Sequence, residues 1–564
     1  MFQQDLQPVG DSLFLSALCG AIPLITLFVL LGGLRLRAWM AGLISLGVAL
    51  LVAVVLFTMP VGQALLSATE GAAFGFFPIM WIVINAIWVY NLTVASGHFD
   101  VLRRSFAKVS PDQRIQAVII AFCFGALLEA LAGFGTPVAI TVVMLMALGF
   151  EPLKAAAVAL IANTAPVAFG ALATPIVTLA EVSSGASNDP GLTVDTLGSM
   201  VGRQTPVLAV IVPLVLVLVV DGKRGARQAW LPALVCGLSF GVAQFVASNY
   251  ISVPLADIVA ALVSAAAVVV LLRVWQPAEV ITADVAEEKI RTQSGAPAPS
   301  AGSAGASASS EGHVHDSRSD VIKAYAPYAV IIAIFSIANI TAVKEFLAEP
   351  PFTYEIDWPG LEVLSASGEP LASTTFVFNW LPAAGTLMIL AGVITAAILK
   401  VSPGRALKAY GETYVELKSA IITVMAVLAL AFVMNQSGQT TSLGLWLAGA
   451  GGAFAILSPI LGWIGVAVTG SDTSSNALFG ALQVQTAKEA GLDQVLMAAA
   501  NSSGGVLGKM ISPQNLAIAA AAVGMAGREG DIFRKVIGWS LVLLVFMCVI
   551  VGLQATPVLG WMVP

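Results

Sequence analysis

About a dozen runs of some twenty apolar residues recur along this sequence, and they decide the solvent it folds in. A helix rises 1.5 Å per residue, so about 20 apolar residues carry it across a ~30 Å hydrocarbon core. Runs of that kind lie near residues 13–31, 38–59, 72–92, 115–131, 207–220, 231–248, 255–275, 325–342, 377–399, 419–434, 443–463 and 536–553. Soluble domains carry about 25% charged residues. Here 10% of 564 residues are charged and 58% are hydrophobic, with a mean hydropathy of +0.92. That leaves no surface for water over most of the length. The expected fold is an all-α polytopic membrane protein with about 12 transmembrane helices.

Two regions, 132–180 and 466–526, are apolar yet rich in Gly, Pro, Asn, Ser and Thr. They are expected to hold broken or re-entrant segments, which survive at membrane depth only when buried in protein or lining a cavity. The positive-inside rule orients the rest. Arg35 and Arg37, then Arg103, Arg104, Lys108 and Arg114, mark cytoplasmic loops, as do Lys223, Arg224 and Arg227. Lys400, Arg405, Lys408 and Lys418, and finally Arg528, Arg534 and Lys535, mark two more. Acidic segments at Glu181, Asp189 and Asp195, and from Glu345 to Glu369, fall outside, and both termini are placed outside with them. Residues 276–320, with the low-complexity centre GAPAPSAGSAGASASS, are expected to be a disordered linker between membrane halves 1–275 and 321–564.

The two polar-apolar regions resemble each other. Asn163, Gly170, Thr174 and Pro175 match Asn501, Gly508, Ser512 and Pro513 at identical spacing, and Gly133 and Thr136 match Gly470 and Thr473. The helix into the first region leaves a basic loop, and the helix into the second runs the opposite way. Two similar units of opposite polarity predict an inverted-repeat secondary transporter with a midplane site. The alternative is small-residue packing faces in ordinary helices.

Few charges lie deep in apolar surroundings, where each is costly unless it faces a partner or a cavity. Glu129, in FGALLEALAGFGTP, is read as a proton-coupling carboxylate or as a hydrogen-bonded structural Glu. Asp472, in VTGSDTSSN, supports coupling, pairs with a cation, or caps a half-helix. Lys509, a lone cation in GGVLGKMISPQ, suits a substrate carboxylate, or else makes an internal ion pair with Asp472 or Glu129. Gly133, Gly135, Thr136, Asn163, Thr164, Thr473, Ser474, Asn501, Ser502 and Ser503 offer short polar groups and open backbone to a small hydroxylated anion. Arg203 reads as an interfacial anchor.

Other chemistries find no support. Cys19, Cys123, Cys236 and Cys548 lack metal-ligand spacing, and His98, His313 and His315 lie in polar segments. The phosphate-loop likeness of SSGGVLGKM fails at Ser503 and Met510, so no nucleotide, cofactor or metal is implied. A net charge of −6 without a basic patch disfavours nucleic acid. A membrane-embedded enzyme would need a nucleophile with its base, or metal ligands, within the spans. A channel would not need buried carboxylates at broken repeats.

GALLEALAGFGTPVAI, ANTAPVAFGALATPI, VGRQTPVLAVIVP, DGKRGARQAW, TGSDTSSNALFGALQ and ANSSGGVLGKMISPQNLAIA together resemble the L-lactate permease family over nearly the whole chain. The resemblance implies a bacterial inner-membrane symporter that imports L-lactate, and also glycolate or D-lactate, with protons by alternating access. A sodium-coupled carboxylate carrier is the alternative. A wider likeness, to the ion-transporter superfamily, implies hairpin tips that hold carboxylate and ion, an elevator-like motion and a homodimer. Here the tips read Ala-Asn-Thr at 162–164 and Ala-Asn-Ser at 500–502, a departure that favours protons over sodium.

Overall fold

The computed structural model describes residues 1–133, 135–187, 189–281 and 316–564. The centre of the expected linker, with His313 and His315, lies outside them. Before the linker run α1 (Leu13–Phe28), α2 (Ala38–Val55), α3 (Val61–Phe74), α4 (Trp81–Ala95), α5 (His98–Ala107) and α6 (Gln113–Gln116). They are followed by α7 (Gly125–Ala132), α8 (Thr136–Ala147), α9 (Pro152–Ala162), α10 (Gly170–Ser184), α11 (Val194–Val246) and α12 (Ala256–Leu271). After it come α13 (Arg318–Ala338), α14 (Thr341–Ala348), α15 (Ala384–Ile398), α16 (Pro403–Gln436) and α17 (Gln439–Leu447). The chain ends with α18 (Phe454–Thr469), α19 (Asp472–Ala490), α20 (Gln494–Gly508), α21 (Pro513–Ala522) and α22 (Glu529–Gln554).

Among the described residues, 11 helical stretches are long and apolar enough to cross a membrane. The protein is a nearly all-helical, polytopic membrane protein. Its departures from the expected spans have local causes. The run 377–399 opens as the strand β4 (Thr375–Phe378) because Thr375, Phe376, Val377 and Phe378 are β-branched or aromatic, and Pro382 keeps the chain extended before α15. The run 443–463 is divided by a 3₁₀ segment, Ala448–Ala453, whose AGAGGA sequence supports a helix poorly. The runs 207–220 and 231–248 are both carried by α11, which turns at Asp221 and Gly222. In the first polar-apolar region α8 and α9, of 12 and 11 residues, are too short to cross.

β1 (Phe2–Gln3) pairs in parallel with β3 (Val363–Leu364), and β2 (Tyr354–Asp357) pairs antiparallel with β4. The amino terminus therefore shares a face with the acidic outer loop. Basic residues gather at the other face, where Arg114 is fully buried in a fork with Asp112 (2.7 Å) and reaches Asp221 (3.4 Å). Helices from before and after the linker interleave: α1 packs on α17, α3 and α2 on α16, and α10 on α19. Two cysteines far apart in sequence, Cys123 and Cys236, come together with their sulfurs 3.4 Å apart.

Candidate functional site

Four interruptions of the helices face one another at the centre of this packing. α7 stops at Gly133, and α8 starts after Gly135, whose φ of +88° suits glycine alone. α9 stops at Asn163, and the chain enters α10 through Ala171, Leu172 and Ala173 with φ of 44°, 56° and 60°. Left-handed backbone costs an L-residue about 1–2 kcal/mol, so three in a row mark stored strain. α18 stops at Gly470, and α20 gives way to a 3₁₀ turn, Lys509–Ile511, before α21. A cavity of about 40 Å³ between these breaks is lined by Glu129, Gly133, Gly170, Ala171, Asp472, Thr473 and Lys509 among others.

Glu129 and Lys509, from opposite ends of the sequence, form an ion pair with Nζ donating to Oε1 at 2.6 Å. Their side chains are 3% and 8% exposed, so the charges neutralise each other away from water. Asn163 Nδ2 donates to Glu129 Oε2 at 2.8 Å, which satisfies the second oxygen. The carboxylate can sit there because residue 170 is glycine: a Cβ would lie 2.8 Å from Oε1. Of the three ammonium hydrogens on Lys509, only one has a partner among the described residues. Of the alternatives open to Lys509 in the sequence, the structure shows the internal ion pair, and with Glu129 rather than Asp472.

Asp472 does not cap its helix. Ser471 does, with its hydroxyl accepting from Ser474 N at 3.2 Å. The Asp472 carboxylate is released to accept from Ser502 Oγ at 2.5 Å through Oδ2, and its Oδ1 has no partner among the described residues. Asn501 donates to Asn476 Oδ1 (2.9 Å) and accepts from Gln483 (3.1 Å), while Asn476 also donates to Pro175 O (3.0 Å). Thr164 is turned back on Ile161 O at 2.7 Å. Ser503 Oγ is buried without a partner among the described residues. Arg203 lies apart, bonded to Asn249 and Met562 O. Asn476 falls in the segment 472–476 already read as part of the site, whereas Gln483 was missed because a neutral amide on a helix looks like a surface residue until its burial is known.

Thr136 and Ser474 face a much larger cavity, of about 1150 Å³, whose walls include Arg35, Arg37, Ser471 and Gln514. Ser471 and Gln514 also line the 40 Å³ cavity, so the large space reaches the site from the basic face. On the acidic face the corresponding space shrinks to about 10 Å³ beside Glu181, Ser373 and Asn435. Glu181, placed by its sequence among the acidic outer residues, is the last-turn residue of α10 and part of that wall. Among the described residues no cluster of His, Cys, Asp and Glu has the makings of a metal site.

Residues 16–558 match a family model described as L-lactate permease. An L-lactate permease of Bacillus subtilis (strain 168) is 40% identical over 585 aligned residues, which cover 100% of this chain and 99% of that one. An L-lactate permease of Escherichia coli (strain K12) is 40% identical over 575, covering 100% of both chains. The glycolate permease GlcA of Escherichia coli (strain K12) is 42% identical over 576, covering 99% of both.

Proposed function

The chain belongs to the L-lactate permease family, and from that premise we propose that it imports L-lactate together with protons, with glycolate and D-lactate as related substrates. It is a transporter of the bacterial inner membrane, crossing it many times. The observation that carries the reading is the buried Glu129–Lys509 pair at the edge of the central cavity.

The empty pair has no net charge. Lactate binds its carboxylate to the Lys509 ammonium, and Glu129, displaced from that ammonium, takes the proton. The loaded site is again neutral. Either ligand alone would leave one buried charge unpaired, a state that costs about 3–5 kcal/mol. That cost is about two to four powers of ten in population, enough to make the two ligands move together. Thr473 and Asp472, both in the cavity wall, offer a donor and an acceptor to the 2-hydroxyl.

Alternating access is supported by the contrast between the open basic face and the closed acidic face. The matched breaks are read as repeats of opposite polarity, one in each membrane half. The turn between α8 and α9 lies beside Gln113, which donates to Leu148 O and Gly149 O on the basic face. The α19–α20 turn follows Lys488 and Glu489, which line an outer cavity with Gln4 and Glu369. An elevator-like motion and a homodimer remain part of the proposal, the latter tested by the mass of the protein in lipid discs.

Uptake of labelled L-lactate into proteoliposomes, first with an inward proton gradient and then with an inward sodium gradient, tests the reading. Accumulation with protons alone is the expected result, and accumulation that requires sodium would overturn the coupling. Glu129→Gln is expected to lose proton-driven accumulation while keeping part of the exchange; unchanged accumulation would remove Glu129 from the role.

A further inference from the structure

A second pair of carboxylates lies in the outer half of the molecule, away from the Glu129 site. Glu70, on α3, is fully buried, and its Oε2 accepts from Gln436 Nε2 at 2.7 Å. The same nitrogen donates to Ser373 O at 2.9 Å, so one amide at the end of α16 joins a helix-borne carboxylate to the outer loop. Glu70 Oε1 and Gln436 Oε1 are both buried acceptors with no donor among the described residues. Glu181 lines the 10 Å³ cavity with Gly185, Ser373 and Asn435, space for about one water. Gly185 and Asn435 also line the outer cavity of about 270 Å³ above it. Vestibule, Glu181, Ser373, Gln436 and Glu70 thus form a continuous file from the acidic face inward.

Neither carboxylate has a cation within ion-pair distance among the described residues. The ionisable groups on the elements packed against them lie at other depths. Lys488 and Glu489 of α19, with Glu369 of the outer loop, line the vestibule. Glu129 of α7 and Asp472 of α19 line the central cavity. Arg405, Lys408, Tyr410, Glu412, Tyr414, Glu416 and Lys418 occupy the first half of α16, and Tyr90 lies on α4. On α11, Asp195 is in the first turn and Arg203 is bonded to Met562 O, while Asp221 reaches Arg114 at the basic face, with Lys223, Arg224 and Arg227 just beyond it. Asp257 of α12 accepts from Gln244. What Glu70 Oε1 and Gln436 Oε1 lack is a donor, and a carboxyl group becomes one when it is protonated.

We propose that Glu181 and Glu70 are the proton-loading residues of the outer path. A hydronium ion from the vestibule gives its proton to the Glu181 carboxylate and leaves as water. A proton arriving at Glu70 Oε1 forms the O–H that the adjoining acceptors lack. The inference rests on the proton-coupled reading of the Glu129 site and extends it to the side from which protons enter.

Wild type, Glu70→Gln and Glu181→Gln are reconstituted, and lactate uptake and lactate-dependent proton influx are followed across a series of outside pH values. The expected result is a loss of about tenfold in the initial rate of proton-driven uptake and a flattened dependence on outside pH, with exchange slowed less than uptake. Coupled wild-type transport with a wild-type pH profile in both variants overturns the proposal, as does an equal loss of exchange and driven uptake, which marks a structural role. Wild type that moves lactate without proton influx overturns the underlying coupling instead. Should Glu70→Gln fail to fold, Glu181→Gln alone decides, since its carboxylate makes no side-chain hydrogen bond among the described residues.

Discussion

Segments 163–175 and 501–513 carry the same residues at Asn163 and Asn501, Gly170 and Gly508, and Pro175 and Pro513, yet they interrupt their helices differently. In the first, α9 ends at the Asn and the chain returns to helix through three left-handed residues. In the second, α20 continues past the Asn to Gly508, and only a 3₁₀ turn intervenes. The position that matches Ala171 in the strained run is Lys509 in the relaxed one. Asn163 spends its amide on Glu129, whereas Asn501 spends its own on Asn476. A shared motif therefore supplies two helix breaks, and the chemistry is divided between them: one segment cradles the acid and the other presents the cation.

Removing the cation breaks this division most severely. Lys509→Met leaves Glu129 buried and unpaired, so uptake should vanish and stability should fall by about 3–5 kcal/mol. The double variant with Glu129→Gln should recover thermal stability but not uptake. Melting in detergent together with uptake assays checks both, and a Lys509→Met protein as stable as wild type would contradict the ion pair.

The matched glycines sharpen the contrast. A methyl at Gly508 would meet the backbone of Trp463 and Ala467, which cannot yield, and about 3 kcal/mol of destabilisation is expected for Gly508→Ala. A methyl at Gly170 meets the Glu129 side chain, whose carboxylate Lys509 and Asn163 hold in place, so Gly170→Ala should cost about 1–3 kcal/mol. Its larger effect should fall on coupling, read as lactate uptake with reduced proton influx. Glycine at a strained position acts in the other direction. Ala171→Gly relieves a φ of 44° and should raise stability by up to about 1 kcal/mol, seen as a higher melting temperature.

The smallest effect belongs to an ion pair outside the bilayer. Asp316 accepts from Arg104 Nε at 3.0 Å and Nη2 at 2.6 Å, and that hydrogen bonding, aided by the Arg104 and Lys108 charges, holds its carboxyl below the ordinary value. A folded value below the unfolded one means its contribution is full above about pH 4 and is lost as pH falls through the folded value. Asp316→Asn should remove that acid-side dependence from the melting curve and leave uptake unchanged.

Much of this was legible in the residues. Apolar runs located most spans, and Gly, Pro, Asn and Ser located the two broken regions, because both signals act within a few residues of where they stand; the tip expected at Asn501–Ser503 instead lies within α20, and the break falls at Lys509–Ile511. The strand at Thr375–Phe378 was legible too, but its hydrophobicity hid its β-branched and aromatic pattern inside an apparent span. Other assignments had no local signal. The sequence groups Glu181 with the acidic outer segment but does not show that it lines a cavity at the end of α10, and Glu70 drew no notice in a helix of mixed polarity, although the structure buries its side chain completely.

The residues alone thus fix the solvent, most of the spans and the two regions where helices are interrupted, all set by the transfer cost of short segments and by the backbone preferences of single residues. Which charge meets which is a matter of packing. Lys509 had two carboxylates open to it in the sequence, and packing placed Glu129 at its ammonium and gave Asp472 to Ser502. The reason is physical: neutralising a buried charge depends on distances of a few ångströms between helices remote in sequence, and no single segment contains that information.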